Sequence, residues 1–298
     1  MPGLYVHTLF GDDVRGRLTG TAAALAQRHG AAFLAGLPGP DVYFYDRLPP
    51  PLLRGHEKRT GNALHDAPAE VVFGALIPLA QDRGPLAAYA LGFLCHYALD
   101  AAAHPFVEAR HRGLDHTRFE MRLELPFCAR RGSALCGVPP DRLYAPPLEA
   151  PGLLDALDAL QCGLARAVCG HAAPGAFARG FSNMRRACRL LYDLEGKKRR
   201  LLRRLEHLCK KPEGTLSGFL LAPGGADEGD PFNESHAPWA APWAPERTRT
   251  ESFFELYEQA LRETLALAPL LLDALWGGGA APLLLRLRGG SMAHGYPV

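Results

Sequence analysis

Among the seven cysteines of this 298-residue sequence, at positions 95, 128, 136, 162, 169, 188 and 209, there is no CxxC pair and no zinc-finger spacing. That excludes a small cysteine-stapled module and leaves the cysteines as small buried hydrophobes in a reducing compartment. The first thirty residues hold Asp12, Asp13, Arg15 and Arg17 and no apolar run of signal-peptide length, so export by that route is not expected. The most apolar late stretch, Leu265 to Trp276, is broken by Pro269 and Asp273 and is too short for a bilayer core of about 30 Å. A cytoplasmic protein without a membrane anchor is the expectation. Strand-like alternation is rare and no internal repeat is visible, which argues against sheet and solenoid architectures.

Helical periodicity dominates instead. Apolar residues recur at three and four positions in 18–35, 69–80, 85–104, 152–169, 176–194, 197–209 and 251–276. With 48% hydrophobic residues the chain can bury a substantial core. The expected fold is all-α, a single-domain multi-helix bundle over 1–298 with long loops. Gly84-Pro85 reads as a helix start, and Pro105 as the end or kink of the same helix. Two Pro- and Gly-rich segments, 126–150 and 222–248, read as long irregular loops, and 285–298 as a flexible tail.

Net charge is only +2, but Lys197 to Lys211 (KKRRLLRRLEHLCKK) alone carries +7, leaving −5 for the remainder. Leucines 201, 202, 205 and 208 fall on one side of that segment. They suit docking on the core beneath a solvated basic face, contact with an anionic membrane, or a helix that tracks a nucleic-acid backbone.

The chemistry concentrates in GPLAAYALGFLCHYALDAAAH. At about 100° and 1.5 Å per residue, His96, Asp100 and His104 share a stripe within about 80° of arc and roughly 12 Å long. The helix is apolar on almost every side, so the stripe is buried, and a buried carboxylate with two imidazoles needs partners. A divalent metal supplies them. Ligand bonds near ~2.1 Å cannot span the stripe with one ion, so at least two are expected, with Asp100 as the bridge. In DHTRFEMRLELPF, His116 and Glu120 repeat the four-residue spacing and make a His-His-Glu set with His104. Asp41 and His65 are further candidates that spacing alone does not identify. His29, His56, His111, His171, His207 and His294 lack such spacing and read as surface or capping residues.

The order of these residues resembles the zinc-dependent phospholipase C family, which is related to fungal single-strand nucleases. The likeness runs from His7 in YVHTLFGDDV through Asp41 in LPGPDVYFYD, His65 in GNALHDAP, HYALDAAAHP and DHTRFE to NESHAPWAAPW and ESFFELYEQA. It implies two to three Zn2+ ions. One would be held by Asp41, His65, His96 and Asp100, a second by His104, His116 and Glu120. A third would use His7, Asp100 and the chain's own amine, at Pro2 if Met1 is removed. The resemblance implies a phosphoric ester hydrolase in which Asp41 orients or deprotonates a metal-activated water. A phospholipid headgroup ester is the first substrate expected. A nuclease or small-molecule phosphatase using the same cluster is the alternative, and a zinc-stabilised helical binding protein the alternative of another class. Asn233, His236 and Trp239 in the late loop are candidates for substrate contact. The Asp100-to-His104 gap is shorter than in the family's toxins, and no β-sandwich region follows the helices.

Overall fold

The structure, a computed structural model, describes residues 3–46, 56–111, 114–222 and 229–296. Its helices are α1 (Leu4–Arg17), α2 (Gly20–Arg28), α3 (Gly30–Gly36), α4 (His56–Asp66), α5 (Ala69–Leu79), α6 (Pro85–Arg110) and α7 (Leu114–Arg130). They continue with α8 (Pro140–Leu143), α9 (Ala145–Glu149), α10 (Leu153–Cys169), α11 (Ala176–Leu191), α12 (Lys197–Leu208), α13 (Phe253–Leu275) and α14 (Ala281–Leu287). Among the described residues there is no strand, only isolated bridges such as Trp239 to Arg249. The fold is all-α.

Helix α6 is the axis. Every residue from Ala87 to Val107 is buried, so its continuous apolar composition is matched by protein on all sides. It is long and apolar enough to cross a membrane, but 94% of its most apolar window lies inside the protein, as befits a core helix. Asp82 caps its start, accepting from the amides of Leu86 and Ala87 at 3.1 and 2.8 Å. Helix α3 lies against α6 where Gly36 meets Gly92: a Cβ on either would run into backbone of the other helix. Helix α13 starts with a capping box from Ser252 and Glu255 and packs along the same axis.

Pro105 does not end α6, which continues to Arg110. Its cost is the lost bond to the Ala101 carbonyl, and the packed surroundings hold the helix through it. Part of that packing is the C-terminal segment. Gly295 sits against the Pro105 ring, and the Tyr296 hydroxyl donates to the Ala98 carbonyl at 2.7 Å. Residues expected as a flexible tail from 285 are therefore the end of α14 and a docked turn, with Leu287 and Met292 buried. The 126–150 stretch, expected as an irregular loop, instead holds the end of α7, a 3-10 turn at Ala134–Gly137, α8 and α9. Its prolines fall largely at helix starts, where a missing N–H costs nothing. The periodic 18–35 stretch is two helices, broken at His29.

A candidate metal centre at the middle of the bundle

Four elements bring the polar stripe of α6 its partners. Helix α1 supplies His7, the 3-10 turn Gly39–Tyr45 supplies Asp41, α4 supplies His65, and α7 supplies His116 and Glu120. Apart from His116, which is partly buried, all these side chains and the α6 stripe are buried.

Asp100 is the hub. Its Oδ1 lies 3.2 Å from His7 Nε2, and its Oδ2 lies 3.1 Å from His96 Nε2, 3.5 Å from His65 Nε2 and 3.6 Å from His104 Nε2. His65 Nε2 is also 3.1 Å from Asp41 Oδ1. At the other end, Glu120 Oε1 lies 2.9 Å from His116 Nε2 and 3.8 Å from His104 Nε2. Three groups have ligand atoms within 4.8 Å of one another: His7, His96 and Asp100; Asp41, His65 and His96; His104, His116 and Glu120.

Both nitrogens of His7, Nε2 of His65 and His96, both oxygens of Asp100 and Oδ1 of Asp41 are buried with no hydrogen-bond partner among the described residues. Orphaned polar atoms of this kind cost about 1–3 kcal/mol each, and a convergent set of them calls for a cation. The outer nitrogens are occupied: His65 Nδ1 lies 2.7 Å from the Gly61 carbonyl and His96 Nδ1 3.0 Å from the Leu37 carbonyl. A carbonyl only accepts, so Nδ1 carries the proton in both rings. Each Nε2 lone pair is then free to face inward, as in metal-binding histidines. The donor set of imidazole and carboxylate fits zinc.

Burial and neighbours tilt the titrations together. Burial works against charge on Asp100, but the surrounding histidines outweigh it and hold its carboxyl well below the usual range. Burial disfavours a charged His65 too, yet Asp100 and Asp41 prevail and raise its pKa to about 10. Burial, aided by His65 and His116, pushes His104 well down, and burial likewise lowers His7.

Two glutamates extend the site beyond what was read from the sequence. Glu108 Oε1 lies 2.7 Å from His116 Nδ1, on the outer side of that ring. Glu124, one turn beyond Glu120 on α7, accepts from the amides of Tyr5 and Val6 at 2.6 and 3.3 Å. Helix α1 has no side-chain cap of its own at Gly3, so a carboxylate from α7 takes that role and fixes the turn that carries His7. The signal was present, since Glu124 continues the four-residue spacing of His116 and Glu120.

Beside the cluster lies a cavity of about 20 Å³, lined among others by His7, Asp41, Tyr45, Glu120, Glu124, Met121 and Met184. That is room for about one water. Asn233, His236 and Trp239 do not line it. Asn233 is fully buried and spends its side chain on the carbonyls of Ala237 and Thr250 and on Arg110. Trp239 packs edge-on against Phe106 and donates to the Glu251 carbonyl, and His236 is exposed beside the Thr250 carbonyl. Asn233 and Trp239 tie the late loop to α6, so the part of these three residues that faces outward is the exposed His236. The expected Pro2 amine lies outside the described residues, as does the His56 side chain.

Fold and centre together define a class: an all-α protein built around a candidate multinuclear metal centre. Residues 6–151, the stretch containing every candidate ligand side chain, match the family described as zinc dependent phospholipase C. Over this segment, just under half of its length, the chain is similar to the zinc-dependent phospholipase C family. Searches of curated proteins and of solved structures gave no match.

Proposed function

We propose that the protein hydrolyses phosphodiesters in the manner of a phospholipase C, with a phospholipid headgroup ester as substrate and two to three zinc ions at the centre. The observation that carries this reading is the sharing of Asp100 between His7 on one oxygen and His65, His96 and His104 on the other. One carboxylate serving several ligand groups is what adjacent ions need. Bound there, zinc supplies an activated water and positive charge for the phosphate oxygens.

The chain's own residues do the rest. Asp41 and Glu120 both border the small cavity, where a carboxylate can orient a water and take its proton. Asp41 is the preferred base, because its Oδ1 is buried without a hydrogen-bond partner. The His65 and His96 rings are locked by backbone carbonyls and keep their inward geometry during turnover.

The test is zinc-dependent turnover of a chromogenic phosphodiester, followed by a panel of phospholipid, nucleotide and phosphomonoester. Asp41→Asn should lower kcat by about 10²-fold or more with the helical fold intact. Full zinc content with no turnover of any panel member would leave a metal-stabilised binding protein. Preference for the nucleotide or the monoester would move the substrate class.

A further inference from the structure

Helix α12 sits the wrong way round for a helix docked on a core. Its one fully buried residue is Glu206, whose carboxylate accepts from the amides of Gly214, Leu216 and Ser217 at 3.1, 2.5 and 2.7 Å and from the Ser217 hydroxyl at 2.8 Å. Those four bonds fix the helix rotation. Leu201, Leu205 and Leu208 consequently point away from the protein, 57%, 45% and 76% exposed, where docking on the core was one expectation. At about 100° per residue the three fall within about 60° of arc and form a single ridge. Leu190 and Leu194, just before the helix, are exposed as well.

Cations frame the ridge on both sides. Lys198 lies on one flank, its ammonium held by the carbonyls of Leu190 and Tyr192 at 2.7 and 2.9 Å, next to the additional exposed leucine. Arg200 and Arg204 lie on the other flank and are exposed. Behind the helix, Arg199 and Arg203 line a groove of about 550 Å³ with Arg118 and Arg122 of α7, where Asp115 pairs with Arg118 and Glu213 with Arg203. An apolar ridge alone does not name its occupant. A ridge set among this many positive charges fits a surface that is apolar below and anionic above.

We propose that the α12 face docks the protein on an anionic bilayer, the leucine ridge entering the acyl boundary while the flanking lysine and arginines meet lipid phosphates. Nothing in this step requires hydrolysis, so it stands or falls apart from the catalytic reading.

The experiment is co-sedimentation of the full chain with vesicles of phosphatidylcholine, with and without phosphatidylglycerol, at low and at physiological salt. Wild type should bind the phosphatidylglycerol vesicles, and bind them less well as salt rises. The triple substitution Leu201→Glu, Leu205→Glu, Leu208→Glu leaves Glu206 in place, and circular dichroism checks its fold. It should weaken vesicle binding by about tenfold or more. A catalytically disabled Asp41→Asn protein should bind as wild type does. Equal binding by the triple variant, or no binding of wild type to anionic vesicles, overturns the proposal. So does a dimer that the triple substitution converts to monomer, since the ridge would then cover a second copy. Retained turnover of a soluble ester by the triple variant, with vesicle binding lost, supports docking and leaves the catalytic reading intact.

Discussion

His7 and His96 approach Asp100 from opposite ends of one carboxylate, Nε2 to Oδ1 at 3.2 Å and Nε2 to Oδ2 at 3.1 Å, with their rings stacked 4.5 Å apart. These three form one ligand group, and Asp100 Oδ2 also lies 3.5 Å from His65 of a second, so both depend on a single side chain. Asp100→Asn removes the charge from both, and zinc per chain, measured by mass spectrometry of the native protein, should fall to the ion held by His104, His116 and Glu120. Unchanged zinc content would mean that Asp100 ligates nothing.

Gly39 shapes the site without contributing a ligand. Its φ is +50°, and a Cβ there would run into the His96 imidazole. Gly39→Ala should therefore destabilise the fold by about 1–3 kcal/mol and loosen metal held by His96. Denaturant melting and zinc affinity measured on the same variant check both effects. The loss of affinity should exceed that of an alanine placed at Gly132, which also has positive φ but nothing near it.

His65 makes zinc uptake pH-dependent. In the metal-free protein its pKa is raised to about 10 from an ordinary 6.5, so the stabilisation it contributes is complete below pH 6.5 and is lost as pH rises toward 10. A ligating imidazole must be neutral, so zinc competes with that proton. Zinc affinity should rise with pH across this window, with a proton released that calorimetry in two buffers detects. His65→Gln should remove that proton and weaken zinc binding, and a zinc affinity independent of pH would sink this account.

Glu124 acts in the opposite sense to an ordinary surface carboxylate. Burial pushes its pKa up to about 8 from 4.5, against the pull of the Tyr5 and Val6 amides. A raised folded value means that stability is fully present below pH 4.5 and falls as pH climbs through 8. Glu124→Gln keeps an acceptor for the amides and removes the titration, so the metal-free variant should gain on the order of a few kcal/mol relative to wild type at pH 8 and little at pH 4.5. Thermal melts at the two pH values check the difference. Glu124→Leu removes the cap as well and should weaken the His7 ligand group at every pH.

The α6 stripe and the His116–Glu120 pair were legible because both rest on one rule, that residues four apart share a helix face. The all-α architecture was legible for the same reason, since long periodic segments need only one face to be recognised. Asp41, His65 and His7 were not legible from spacing. Each comes from a separate element, and only resemblance to a family placed them in one cluster. Glu108 and Glu124 went unread although each lies four residues beyond a candidate ligand, because that spacing does not say which remote ring or helix end a glutamate will reach. Of the two effects expected of Pro105, an end or a kink, the helix shows no end, because packing carries it through to Arg110. The α12 leucines left several readings open, and the side of the helix that faces in is decided by one buried glutamate that the pattern did not single out.

The bonds from Glu124 to the start of α1 join residues 119 positions apart. The α6 stripe needs only its own helix to exist, whereas His7 arrives only after that long loop has closed, which is an entropically late event. The centre is therefore local in sequence along α6 and non-local at His7, where two distant segments must meet to close it.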